Sequence, residues 1–207
     1  MAEVFLASRN AKKLDEMQRI LGEALPDLTV LGLDDVVAYA EPVEDQADFA
    51  GNALLKAWAG HRATGLPTVA DDSGLCVDAL NGMPGVLSAR WSGQPRSDDR
   101  NNTLLLDQLH DVPDERRGAE FRCAVAFVHR DATGADVEHV VEAAMRGRII
   151  REQRGAGGFG YDVVFVPEEQ GGALTSAEMT AGEKDLISHR GKSLRKLAPI
   201  VVETLLG

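Results

Sequence analysis

Short apolar segments of β-type residues alternate with helical patterns in the first third of the chain, and this alternation restricts the possible folds more than any other feature. The β-type segments are residues 4–7, 29–31 and 68–70. Helical patterns separate them, over residues 11–24, where Leu14, Met17 and Leu21 share one face, and over residues 48–63. The resulting β-α-β-α-β order predicts an α/β sheet with helices packed against it.

The middle of the chain is richer in β-type residues. Two long runs, residues 121–130 and 137–150, are joined by Asp131-Ala132-Thr133-Gly134, which predicts a hairpin. The pattern also predicts a helix over residues 100–110, a strand over 158–167 and a closing helix over 192–206. No linker separates independent domains, so we treat residues 1–207 as a single domain. We expect an elongated mixed β-sheet with flanking helices in two lobes, and a cleft between the lobes.

The charge of the chain limits its partners. Its 207 residues include 33 acidic and 22 basic side chains, a formal net charge of -11. Nucleic acids and anionic membranes carry the same sign, so we expect neither as a partner. No apolar run reaches the roughly 18 residues of a membrane span and no signal peptide is evident, which favours a cytoplasmic protein. Cys76 and Cys123 lie far apart, as is typical of buried thiols rather than a disulfide framework.

The charges are unevenly distributed along the chain. Residues 20–55 include eight acids and neither Lys nor Arg, whereas residues 184–196 include five bases and one acid. The first stretch could hold a cation and the second an anion. Either could equally be an ordinary solvated surface.

Six residues between the first strand and the first helix have the character of an anion site. They are Ser8, Arg9, Asn10, Ala11, Lys12 and Lys13. Lysines in the first turn of a helix oppose its dipole, at a cost of about 0.3 to 1 kcal/mol each, and a bound phosphate would reverse that sign. Free N–H groups at the helix start would add to the attraction. The alternative is a solvent-exposed turn with two chance lysines.

Glu44 stands just before the second helix, on which three residues share one face. These are Phe49, Asn52 and Lys56, at positions i, i+3 and i+7. An Asn and a Lys on an inward-facing helix surface either extend to its rim or line a binding cleft. Glu44 is the best-placed oxygen ligand for Mg2+ in the acidic stretch.

Asp71 and Asp72 follow the apolar run of the third strand. Ligands of open α/β sheets bind beyond the carboxyl ends of the strands. Consecutive strand residues face opposite sides, so the two acids converge on one site only if the chain turns at once, which Ser73-Gly74 permits. The pair is compatible with a turn or helix cap, and also with metal binding or general-base chemistry.

Two further segments offer groups for a base and a phosphate. The glycine-rich stretch 155–162 could present Phe159 to a planar base, with stacking worth about 1 to 3 kcal/mol, or could simply pack that ring. Near the C-terminus, Lys184, His189 and Arg190 form a basic group. A lone His is more often structural, but the Arg190 guanidinium suits a phosphate or a carbonyl oxygen.

Taken in order, these segments resemble the inosine/xanthosine triphosphate pyrophosphatase family. The matching motifs are S-R-N-A-K-K, E-x4-F-x2-N-A-x2-K, A-D-D-S-G-L, P-G-V-L-S-A-R-W, G-F-G-Y-D and S-H-R-G, which together span residues 8–191. The resemblance implies the same elongated mixed sheet in two lobes, with the nucleotide in the cleft.

The resemblance also implies a role for each motif residue. Asp72 would be the general base and a metal ligand, and Glu44 the second ligand of Mg2+. The implied substrate contacts are Ser8, Arg9, Asn10, Ala11, Lys12 and Lys13 at the triphosphate, Ser73 and Lys184 elsewhere on the substrate, Phe159, Gly160, Tyr161 and Asp162 in the base pocket, and His189 with Arg190 at position 6 of the purine.

The implied reaction is Mg2+-dependent hydrolysis of inosine, deoxyinosine and xanthosine triphosphates to the monophosphate and pyrophosphate by a cytoplasmic homodimer. Two alternatives stay open. One is a Maf-like pyrophosphatase for modified pyrimidine nucleotides, against which G-F-G-Y-D and S-H-R-G argue. The other is a non-catalytic nucleotide-binding sensor, which loss of Asp72 or Glu44 would favour; this chain retains both.

Overall fold

A computed structural model describes residues 2–206 of the chain. The strands are β1 (Ala2–Leu6), β2 (Leu28–Leu31), β3 (Thr68–Val77), β4 (Gly118–Arg130), β5 (Asp136–Ile149) and β6 (Phe165–Pro167). The α-helices are α1 (Ala11–Ala24), α2 (Phe49–Thr64), α3 (Asp98–Gln108), α4 (Ala181–Ile187) and α5 (His189–Leu206). None of the helices within residues 2–206 has both the length and the apolar character needed to cross a bilayer.

The six strands form one mixed sheet in the order β2-β1-β3-β4-β5-β6. β1 is parallel to β2 and β3, whereas β5 is antiparallel to β6. Asp131 N–H donates to the Ala135 carbonyl at 2.8 Å and closes the turn between β4 and β5. A parallel pair would need a crossover of about a dozen residues, so this short turn makes β4 and β5 antiparallel. The predicted α/β class, the mixed sheet and the hairpin are confirmed.

Two compact units make up the described chain. The first contains the residues up to Asp72, Cys123–Ala143 and the residues from Arg190 onward. Its core is formed by α1, β1, β2 and α5 with parts of β3 and β4, and includes Val4, Leu6, Leu21, Val69, Phe127, Leu194 and Leu197. The unit boundaries fall inside β3, β4 and β5.

The second unit contains Ser73–Arg122 and Ala144–His189. Its core includes Leu75, Val77, Leu105, Met145, Ile149, Tyr161 and Phe165. Of the two cysteines, Cys123 is buried in the first unit, as predicted, whereas Cys76 in the second is only half-buried; both are free thiols.

One turn that the sequence permits does not form, and one predicted strand is much shorter than expected. The chain does not turn at Ser73-Gly74, because β3 continues to Val77 and places Leu75 and Val77 in the second core, fully buried. The strand predicted over residues 158–167 is reduced to Phe165–Pro167, and Gly160–Val163 form a 3-10 turn instead. Gly158 and Gly160 have φ of 70° and 64°, in the left-handed region, which is incompatible with an extended strand.

Candidate active site

The loop between β1 and α1 leads into the N-terminus of α1. Asn10 caps the helix, its Oδ1 accepting from the Lys12 N–H at 3.0 Å, and Ser8 Oγ accepts from the Asn10 N–H at 3.3 Å. Arg9 and Lys12 are exposed, and Arg9 pairs with Glu41. The first turn carries no acidic residue, so its N–H groups and cations form an electropositive end.

Lys13, from the same turn, points to a buried cluster around Asp71. Its Nζ lies 2.9 Å from Asp71 Oδ2, which also accepts from Arg190 Nε at 3.0 Å. Arg190 Nη1 donates to Glu16 Oε2 at 3.0 Å. Asp71, Arg190 and Glu16 are all less than a tenth exposed. We call these four residues the Asp71 cluster; α1, β3 and α5 supply them.

The charges of the Asp71 cluster compensate each other. Burial would raise the pKa of Asp71, but the positive charges of Lys13, Arg190 and Lys56 outweigh it and hold that pKa well below its usual range. Burial would likewise lower the pKa of Arg190, and Asp71 and Glu16 hold it above its usual range. Asp71 is therefore a permanent anion at neutral pH, not a base.

Asp72 lies in a second cluster, with Glu44, Asn52 and Lys56. Lys56 Nζ lies 2.7 Å from Glu44 Oε1 and 3.7 Å from Asp72 Oδ1. The ammonium also donates to the main-chain carbonyl of Asp71 at 2.6 Å. Asn52 Nδ2 donates to Asp72 Oδ2 at 3.0 Å, and Asn52 Oδ1 accepts from a backbone N–H. We call these residues the Asp72 cluster.

Within the Asp72 cluster, the surroundings of Asp72 disfavour its ionised form. Burial raises the pKa of Asp72 and Glu44 adds to the increase, while Lys56 and Asn52 oppose it. Burial would lower the pKa of Lys56, yet the three neighbouring acids keep it raised, so Lys56 stays charged. A carboxylate with a raised pKa is a better proton acceptor than an ordinary one.

Glu44 and Asp72 both face one positive charge, the ammonium of Lys56. Carboxylate oxygens are suitable Mg2+ ligands, and Mg2+ commonly takes one or two carboxylates together with phosphate oxygens and water. Within residues 2–206, no three His, Cys, Asp or Glu side chains are grouped so as to hold an ion. The pair of Glu44 and Asp72 matches the one or two carboxylates that Mg2+ commonly takes from a protein.

In the second unit, Asp162 organises the segment predicted to hold a base. Its Oδ2 accepts from the Phe159 N–H at 2.9 Å and pairs with the ammonium of Lys184. That ammonium lies 5.2 Å from the centroid of the Phe159 ring, a cation–π contact. Gly158 is required here, because a Cβ would lie 2.1 Å from Asp162 Oδ2. We call Phe159, Asp162 and Lys184 the Phe159 cluster.

The rest of this segment is held by α3 and by a buried tyrosine. Gly160 N–H donates to Asp98 Oδ2 at 2.7 Å, and the Gly160 carbonyl accepts from Asn102 Nδ2 at 2.9 Å. The hydroxyl of buried Tyr161 donates to the Ser88 carbonyl at 2.9 Å, and burial raises its pKa. Gly160 and Tyr161 therefore support the segment through the backbone and the core.

His189 and Arg190 are neighbours in sequence but contact different groups. The buried His189 ring is parallel to Phe121, with centroids 4.9 Å apart, in the second unit. Arg190 belongs to the Asp71 cluster of the first. Their joint contact with position 6 of a purine stays a prediction, as does the substrate contact of half-buried Ser73.

Sequence reasoning did not assign roles to four residues of these clusters: Glu16, Asn52, Lys56 and Asp71. Asn52 and Lys56 were placed on the correct face of α2, where Asn52 is 1% exposed. Glu16 had a detectable signal, since it falls on the apolar face of α1 beside Met17 and Ile20. An acid in an apolar stripe needs a buried partner.

Comparison with known proteins points in one direction. The sequence model of the Ham1 family matches residues 4–200. A Nocardia farcinica protein called dITP/XTP pyrophosphatase is 57% identical over 200 residues, 96% of this chain and 94% of that protein. A Cutibacterium acnes protein of the same name is 53% identical over 207 residues, the full length of both.

Solved structures agree with the sequence comparison. A HAM1 protein from Coxiella burnetii superposes with a TM-score of 0.84 at 36% identity, covering 98% of this chain and 100% of that one. A nucleoside-triphosphatase / dITP/XTP pyrophosphatase from Mycobacterium abscessus has a TM-score of 0.73 at 52% identity, covering 95% and 99%. The α/β architecture is therefore shared.

Proposed function

Because this chain belongs to the Ham1 family, we propose that it hydrolyses non-standard purine nucleoside triphosphates, namely dITP, XTP and ITP, to the monophosphate and pyrophosphate. The observation that carries the proposal is Asp72, a half-buried carboxylate with a raised pKa that accepts a hydrogen bond from Asn52 and lies 3.7 Å from the Lys56 ammonium, which also contacts Glu44. A proton acceptor of this kind beside a cation site suits attack by water on a phosphoanhydride.

In the proposed reaction, water attacks the α-phosphorus and Asp72 accepts its proton. The bond between the α-phosphorus and the bridging oxygen breaks, and pyrophosphate leaves with the electron pair. Lys13 and the N–H groups of the first turn of α1 neutralise the charge that develops on the phosphate oxygens. Ser8, Arg9, Asn10, Ala11 and Lys12 complete the loop that binds the triphosphate.

We assign Mg2+ as the cofactor, held by Glu44 and Asp72 together with phosphate oxygens. When bound, such an ion would polarise the phosphate and counter its charge. The Lys56 ammonium contacts Glu44 and lies near Asp72, so it offsets part of the negative charge of this pair before the ion binds. The net charge of -11 opposes binding of a bare triphosphate, so the Mg2+ complex is the proposed substrate.

The base is assigned to the Phe159 cluster, with Phe159 stacking on the purine and Gly160, Tyr161 and Asp162 shaping its surroundings. His189 and Arg190 would favour an oxygen over an amino group at position 6. A guanidinium has five N–H donors, so its contacts to Asp71 and Glu16 are compatible with this role. Donors facing an amino group would be left unpaired, which costs about 1 to 3 kcal/mol. Ser73 and Lys184 are further proposed contacts.

A cytoplasmic homodimer is the proposed form of the enzyme, on the family resemblance alone. Light scattering during size-exclusion chromatography tests the assembly; a monomer at micromolar concentration would refute it. The location is tested by fractionation of cells.

One assay tests the activity. The protein is incubated with Mg2+ and each of dITP, XTP, ITP, dATP, dGTP and dCTP, and pyrophosphate and orthophosphate are measured separately. We expect pyrophosphate from the first three and none when EDTA replaces Mg2+. Orthophosphate as the first product would exclude attack at the α-phosphorus. Turnover of a pyrimidine alone would favour the Maf-like alternative, and binding without turnover the sensor.

A further inference from the structure

Glu16 is a buried acid in the second turn of α1, and no role in the proposed reaction has been assigned to it. It is 7% exposed, on the same helix face as the core residues Met17 and Ile20. Removing a carboxylate from water costs several kcal/mol and needs a charged partner. The partner is Arg190, whose Nη1 lies 3.0 Å from Glu16 Oε2.

The four residues of the Asp71 cluster form a linear chain of ion pairs with alternating charge. Lys13 and Glu16 are three residues apart on α1 and so face the same way. Lys13 contacts Asp71, Asp71 contacts Arg190, and Arg190 contacts Glu16, at 2.9, 3.0 and 3.0 Å. Glu16 and Lys13 thereby hold opposite ends of one chain of ion pairs.

Buried ion pairs of this kind contribute little net stability to a fold. Replacing a buried ion-pair network by apolar side chains is often neutral or stabilising, so folding alone does not explain four buried or nearly buried charges. The chain of ion pairs instead fixes the orientation of its charged groups. Arg190 is held by carboxylates from two elements, and its Nε therefore keeps Asp71 Oδ2 aligned with the ammonium of Lys13.

We propose that Glu16 is a positioning residue, which holds the Lys13 ammonium in place for phosphate chemistry through Arg190 and Asp71. The inference rests on the proposed function, because Lys13 is the group that meets the triphosphate. An ammonium displaced by about 1 Å binds a flexible phosphate nearly as well but matches the transition state poorly. Glu16 should therefore govern kcat more than KM.

The first test compares Glu16→Gln with Asp15→Asn. Both remove one negative charge from α1, but Asp15 is exposed and outside the Asp71 cluster. With Mg·dITP as substrate, we expect Glu16→Gln to lower kcat roughly tenfold or more while KM changes less than about twofold. Asp15→Asn should leave both near their wild-type values. An unchanged kcat in folded Glu16→Gln, or an equal fall in Asp15→Asn, would overturn the proposal.

A double-mutant cycle asks whether Glu16 acts through Lys13. In a Lys13→Gln background, Glu16→Gln should lower kcat by less than about twofold, because the group that it positions is already absent. A full further loss would show that Glu16 acts by another route and would refute the inference.

A third measurement does not depend on turnover. Brief reductive methylation followed by mass spectrometry compares the reactivity of Lys13 with that of exposed Lys12 in the same peptide. The ion pair to Asp71 protects Lys13 in the wild type, and the ratio of Lys13 to Lys12 labelling should rise roughly threefold or more in Glu16→Gln. If the wild type fails to turn over dITP, the proposed function fails, while this readout still tests whether Glu16 holds Lys13 through the chain of ion pairs.

Glu16→Asp serves if the Gln variant does not fold. It keeps the charge but withdraws the carboxylate by one methylene, so kcat should fall and Lys13 labelling should rise. Wild-type kcat together with wild-type labelling in this variant would contradict the proposed role.

Discussion

Asp71 and Asp72 are consecutive residues of β3, yet their carboxylates enter different charge clusters and their pKa values shift in opposite directions. The strand is not interrupted, so adjacent side chains leave opposite faces. The Asp71 carboxylate contacts Lys13 and Arg190, and the Asp72 carboxylate contacts Asn52 and lies near Lys56. The first acid is thereby a fixed anion and the second a proton acceptor, so their replacement by Asn should have opposite effects on stability.

Asp72→Asn should abolish activity without weakening the fold. Loss of a general base typically lowers kcat by about 10²- to 10⁴-fold. The folded-state pKa of Asp72 is raised, so its stabilising contribution is complete below 3.8 and is lost as pH rises through the folded value. At pH 7 the ionised acid therefore costs stability, and the urea midpoint of Asp72→Asn should equal or exceed that of the wild type. A large fall in the midpoint would contradict this assignment.

Asp71→Asn should be strongly destabilising. It leaves Lys13 and Arg190 without their shared carboxylate, and breaking a buried pair in this way typically costs about 3 to 5 kcal/mol. The folded-state pKa of Asp71 is lowered, so its contribution is present above the ordinary value of 3.8 and is lost as pH falls below it. Urea titrations at pH 7 and pH 3 should show a gap between wild type and variant that narrows at pH 3. A constant gap would exclude the charge of Asp71 as its origin.

The sequence predicts local features of this protein better than contacts between distant residues, and Asp71 and Asp72 show the difference. The limits of α1, Ala11–Ala24, were predicted correctly, because the spacing of apolar residues and the cap at Asn10 are local signals. The continuation of β3 beyond Asp72 depends instead on the packing of Leu75 and Val77. The residues that they pack against lie far away in sequence, so no local signal predicts it. The partners of Arg190 are equally distant in sequence, so its chemistry was predicted without the two acids that hold it.

Lys56→Gln should move the acid limb of the pH profile. The ammonium lowers the pKa of Asp72, whereas Glu44 raises it, so removing the ammonium leaves the raising influences of burial and Glu44. The acid limb of kcat/KM, which reports the free enzyme, should shift to higher pH. Arg96→Gln removes one positive charge from an exposed position outside the clusters and should not shift it. Equal shifts in the two variants would show a general charge effect rather than a specific contact.

Phe159→Ala should weaken binding of the nucleotide but not of its phosphates. Loss of one stacking contact costs about 1 to 3 kcal/mol, which corresponds to an increase in KM for dITP of roughly 5- to 150-fold. The inhibition constant of pyrophosphate, which has no base, should stay near its wild-type value. A parallel loss of pyrophosphate inhibition would mean that the ring supports the phosphate site rather than the base.

Gly158→Ala should weaken nucleotide binding as Phe159→Ala does, because it disturbs Asp162, which holds the Phe159 backbone. The new Cβ would lie 2.1 Å from Asp162 Oδ2, and the backbone φ of 70° is unfavourable for alanine. Asp162 must then move, which breaks its contacts to the Phe159 N–H and to Lys184. We expect KM for dITP to rise roughly tenfold or more.

Gly182→Ala is the matched control, since Gly182 lies in α4 with nothing within 4 Å of its added Cβ, and alanine favours a helix. If both variants keep wild-type kinetics, Asp162 does not position the base-binding ring.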